Sequence, residues 1–67
     1  MNKQRYLAEL QRLLVFMTET DRAEVIRRCS ELFDAAGPGG EADVIALAGS
    51  PTKAAISLSK GYEPGTI

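Results

Sequence analysis

Apolar residues in the first quarter of the chain recur with the spacing of a helix. Leu7, Leu10, Leu14 and Met17 stand three or four positions apart, and Tyr6 and Leu13 widen the same stripe. Lys3, Arg5, Glu9 and Arg12 fall mostly on the other faces. The pattern predicts a helix over residues 2–17. Val15 and Phe16 break it by carrying hydrophobicity around the last turn.

"TETD", residues 18–21, follows with neither Gly nor Pro. Thr18 suits an N-cap, and Asp21 three residues later makes a variant capping box. Glu19 and Asp21 also place negative charge at the positive end of a helix. A second helix is expected over 19–35, with the stripe Val25, Ile26, Cys29, Leu32 and Phe33 and with Ala36 behind it. So short a link predicts an antiparallel hairpin with the two stripes face to face, one apolar side of which stays partly uncovered.

"GPGG", residues 37–40, ends the second helix in a mobile turn, and "EADVIALA" forms a short third helix. In "LAGSP", Gly49 suits the left-handed position after a helix end, Ser50 an N-cap, and Pro51 the first helical position. The last helix, "PTKAAISLSK", turns Ala54, Ala55 and Leu58 to the core, and Gly61 stops it. The expected fold is all-α: an antiparallel helical hairpin capped by two short C-terminal helices. It forms one domain over residues 1–62, with 63–67 as a tail or the start of a linker.

Composition narrows how such a fold is held. A 67-residue chain is one small domain, whose core alone supplies roughly 3–5 kcal/mol. Cys29 is the single cysteine, which excludes an intrachain disulfide, and with no histidine a cysteine–histidine metal cage is excluded too. Association is what remains, so a protein partner or a homodimer is expected. The net charge of −1 and the lack of a basic block give no drive for strong nucleic-acid or anionic-membrane binding. The longest apolar run, Leu13 to Met17, is too short to span a bilayer. Lys3 and Arg5 do not introduce the apolar core of a signal peptide, and with one unpaired thiol this fits a cytoplasmic protein.

Taken together, these stretches resemble the HAAS domain family. Its opening reads like Met-x-Lys-x-x-Phe-Leu-x-x-Leu, which Met1, Lys3, Tyr6, Leu7 and Leu10 match. Met17–Thr18 stands at the family's turn, Arg22, Ile26 and Phe33 lie in the second helix, and Leu47, Gly49, Ser50, Pro51, Ala55 and Tyr62 match the last part. The resemblance covers nearly the whole chain. It implies a small helical signalling or adaptor domain at the cytoplasmic N-terminus of a bacterial protein, with transmembrane helices or a surface-associated module downstream, often encoded beside a PadR-like regulator. It brings no catalytic residues. This chain departs from the family at Thr52 and Lys53, where a glutamate is common, in Val15 and Phe16, and in its glycine-rich connector.

Candidate chemistry is sparse. Cys29 lies on the apolar stripe and is expected to pack rather than react. "GPGG" lacks the Gly-Lys-Ser/Thr ending of a phosphate loop and follows a helix. Glu31 with Asp34, or Glu41 with Asp43, could share a metal, yet no further carboxylates accompany them and a solvated face is expected. A DNA-reading corner at Gly49 would have only Lys53 and Lys60 on its reading helix. No catalytic, cofactor-binding or metal residue is assigned, and no cofactor is expected. Val15 and Phe16 are either extra core beneath the corner helices or, together with Ile56, a surface for a partner or a second copy. The expected function is a non-enzymatic protein-interaction and signalling module, the cytoplasmic head of a longer bacterial protein. The alternatives are a small stand-alone regulator that binds nucleic acid, and a small enzyme or redox protein.

Overall fold

In the structure, a computed structural model, residues 2–65 are described. Met1 of the family-like opening and Thr66 and Ile67 of the expected tail lie outside the described residues. The chain is all-α, with four helices and, among the described residues, no strand.

Helix α1 runs Lys3–Leu13. Asn2 caps it, its side-chain oxygen accepting from the Arg5 N–H at 2.9 Å. The helix ends four residues short of the expected limit, and Leu14–Phe16 tighten into a 3₁₀ turn before Met17 extends. Tightening has a physical gain. With three residues per turn, positions i and i+3 eclipse. Leu14 and Met17 therefore both enter the core, while Val15 and Phe16 turn outward.

Helix α2, Glu19–Ala36, starts at the expected cap: Thr18 Oγ1 accepts from the Asp21 N–H at 3.2 Å. It ends at Gly37, whose N–H reaches the Phe33 carbonyl at 3.1 Å and the Asp34 carbonyl at 3.3 Å. "GPGG" is structured as a 3₁₀ turn over Pro38–Gly40 and leads directly into α3, Glu41–Ala48. Gly49, at φ 82°, ends α3 with its N–H on the Ile45 carbonyl at 2.8 Å. That dihedral is cheap for glycine and strained for other residues. Helix α4, Pro51–Ser59, follows at once, capped by Ser50 Oγ accepting from the Lys53 N–H at 3.2 Å.

The core gathers Tyr6, Leu10, Leu14 and Met17 from the first stretch, Val25 and Phe33 from α2, and Ala55 from α4. Ile26, Cys29, Val44, Ile45, Ala54 and Leu58 pack half-buried around it. The start of α1 meets the end of α2: the Tyr6 and Phe33 rings meet edge to face at 5.5 Å, and Lys3 Nζ lies 2.5 Å from the Asp34 carboxylate. Helix α4 packs against α1, and α3 against α2. Leu32, expected on the buried stripe, is exposed beside buried Phe33. The apolar stripe of α2 is wider than α1 and the eight-residue α3 can cover.

Leu10 is fully buried, and its truncation costs about 2–5 kcal/mol. That is comparable to the whole stability of roughly 3–5 kcal/mol expected for so small a core. Leu10→Ala is therefore expected to abolish the cooperative thermal transition in circular dichroism. A melt like that of the parent chain would contradict this packing.

Candidate functional site

The residues expected to form a docking surface are carried by two elements. Val15 and Phe16 share the 3₁₀ turn after α1, at 71% and 42% exposure; Ile56 stands on α4 at 54%. Phe16 is not bare on all sides. Its ring and that of Tyr62 meet edge to face at 5.6 Å, with the planes 80° apart.

A second apolar surface lies between α2 and α3. Leu47 is 91% exposed and Leu32 58%, and with Val44 and Ala48 they line a groove of about 330 Å³. The sequence pattern places Leu32 on the buried stripe, and Leu47 enters only as a match to the family's last part, not as a docking residue. The signal that could have found this surface was the ratio of lengths. Two apolar stripes cannot both be covered when the covering helix has only eight residues.

A concavity of about 650 Å³ runs along α1 and α2 and is lined by Leu7, Ala23 and Ile26 together with Gln11, Arg22 and Ser30. On the outer face of α2, Arg27 pairs with both Glu24 and Glu31, and Arg28 Nε lies 3.1 Å from Glu24. The Arg27 guanidinium, and then Arg28, hold the Glu24 carboxyl below the usual carboxylate range. Glu31 and Asp34, weighed above as a metal pair, are each occupied by a cation, Arg27 and Lys3 respectively. Among the described residues, no three of His, Cys, Asp and Glu gather as a metal site. Cys29 sits half-buried against the core, and burial pushes its thiol up from the ordinary value. It is thus a protonated thiol at neutral pH, which is the unreactive form.

Among the described residues, the one buried charge is Asp21. The expected capping box has the carboxylate reach back to the Thr18 N–H. Here a tyrosine hydroxyl is inserted between them. Tyr62 Oη donates to Asp21 Oδ2 at 2.6 Å and accepts from the Thr18 N–H at 3.2 Å. The Gly65 N–H donates to the same Oδ2 at 2.9 Å. The Tyr62 hydroxyl first, then the Gly65 N–H, hold the Asp21 carboxyl below its ordinary range against the opposing effect of burial. This clasp joins the N-terminus of α2 to the residues after α4, including part of the expected tail.

Such an arrangement presents apolar surface and a satisfied buried anion. Tyr6, whose side chain is buried, donates to the Gly49 carbonyl at 2.9 Å, and burial pushes its pKa up, so it stays a neutral phenol. No helix among the described residues is long and apolar enough to cross a membrane. No family model matches the chain, and no curated protein or solved structure matches it either.

The lowered pKa of Asp21 makes stability depend on pH with a definite sign. Its stabilising effect is complete above the unfolded value of about 3.9 and is lost as pH falls through the lower folded value. Near neutral pH the parent chain should melt above Asp21→Asn, and the gap should close in acid. The Glu24 shift is common to both chains and cancels. A gap constant from neutral pH into strong acid would contradict the clasp.

Proposed function

We propose that this chain is a non-enzymatic helical docking module of the HAAS type, the cytoplasmic head of a longer bacterial signalling protein. The observation that carries the proposal is the exposure of five large apolar side chains, Val15, Phe16, Leu32, Leu47 and Ile56, on a domain this small. Single exposed apolar residues are ordinary, but grouped ones mark association sites. Here they group as the Val15–Phe16 turn and the groove between Leu32 and Leu47.

The resemblance supports the same reading through the order of its motifs. Gly49, Ser50 and Pro51 serve as helix stop, cap and first helical residue, which is the work the family's Leu-Gly-Ser-Pro would do. Docking would lay one of the two apolar faces against a helix or groove of a protein partner, or of a second copy, with charged residues at the rim. A nucleic-acid regulator has less in its favour. Helix α4 offers Lys53, and Lys60 lies just beyond it.

Size-exclusion chromatography with light scattering tests the self-docking form. Concentration-dependent dimers are expected, weakened at least tenfold by Leu47→Glu or by Phe16→Ser, whichever face is used, as loss of one well-packed apolar anchor requires about 1.4 kcal/mol or more. A strict monomer at high concentration, unchanged by either substitution, removes self-docking and leaves a foreign partner.

A further inference from the structure

We propose that residues 60–65 form a releasable strap, latched by the Asp21 carboxylate, and that its opening uncovers Phe16; the use made of that uncovered face rests on the docking role proposed above. The strap begins where α4 gives way to extended backbone at Lys60 and reverses at Gly61, where φ is 69°. Tyr62 is half-buried against the core and is the strap's one apolar anchor, whereas Gly61, Glu63, Pro64 and Gly65 are exposed. Segments with exposed backbone and few buried side chains open at the low end of a protein's local stabilities.

The latch itself has two arrangements. In the closed one, the Tyr62 hydroxyl stands between the Thr18 N–H and Asp21 Oδ2, the Gly65 N–H joins the same oxygen, and the Tyr62 ring packs edge to face with Phe16. In the open one, Asp21, which stands at the capping-box position three residues after Thr18, accepts the Thr18 N–H directly. Thr18 Oγ1 keeps the Asp21 N–H in both. The capping box then closes on itself, and opening strands neither the N–H nor the carboxylate. An element with two satisfied arrangements can be biased from outside, here by whatever engages Phe16 or pulls on the chain beyond Gly65.

Amide exchange and ring resonances by NMR test the strap on the isolated chain, without any partner. Tyr62→Phe keeps the ring but removes the inserted hydroxyl. Its Gly65 amide is expected to exchange roughly tenfold faster or more, the loss of a hydrogen bond to a charged group, while the amides of Leu10, Val25 and Phe33 keep their rates. Gly65→Pro removes the other strap donor and, since proline cannot adopt the φ of 86° at this position, also the backbone turn that presents it; it is expected to take away the ring-current shift that Tyr62 imposes on Phe16. Acceleration of all these amides together would show the strap to be part of the cooperative core and overturn the proposal. An unchanged Gly65 amide in Tyr62→Phe, or an unmoved Phe16 ring in Gly65→Pro, would overturn it equally. A failed association measurement bears on docking and leaves these readouts standing.

Discussion

The fold depends on one buried phenol finding its acceptor. Tyr6 is almost wholly buried on α1, its ring packs edge to face on Phe33 of α2, and its hydroxyl donates to the Gly49 carbonyl in the α3–α4 corner. A buried hydroxyl without a partner costs about 1–3 kcal/mol, a large fraction of what a core this size provides. The first helix, the end of the second and the corner must therefore be brought to the same point. Gly49 makes this possible, because the backbone turn it adopts presents its carbonyl to α1 while its N–H closes α3. Once the corner is held there, α4 lies on α1 and Ala55 completes the core.

Much of this was legible from local chemistry. Thr18, Gly49, Ser50 and Pro51 take the capping roles their residue types suggest, because capping is decided within three or four residues. The heptad-like spacing of Leu7, Leu10, Leu14 and Met17 likewise names the inward face. Long-range pairings were not legible. Tyr6 reads as an apolar widening of the stripe, and nothing nearby reveals that its hydroxyl bonds a carbonyl 43 positions away. Asp21 reads as half of a capping box, yet Tyr62, 41 positions on, takes the place between its two ends. Leu32 was misplaced because periodicity shows that a face is apolar and says nothing about whether anything covers it.

The uncovered surface and the clasp are consequences of the same shortage. Two helices of 11 and 18 residues offer more apolar face than helices of eight and nine can hide. Surplus appears at Val15 and Phe16, where the 3₁₀ turn rotates them away from the core, and at Leu32 and Leu47, where α3 is too short. Residues after α4 then lie over part of the first surplus, held by hydrogen bonds to a carboxylate and by the half-buried Tyr62 ring. On the proposed docking role, the apolar contact would be what the module binds with. The proposed polar latch would then adjust how much of that contact is offered, since the capping box can close with or without the inserted hydroxyl while a packed core is costly to rearrange.

The Tyr6 hydroxyl is the most direct point of test. Tyr6→Phe keeps the ring against Phe33 and leaves the Gly49 carbonyl without its donor. Chemical denaturation of the two chains should show the same slope with denaturant and a lower midpoint for the phenylalanine chain, equivalent to about 1–3 kcal/mol. A phenylalanine chain as stable as the parent, or more so, would mean that the corner is held in place by something other than this bond, and the account would fail.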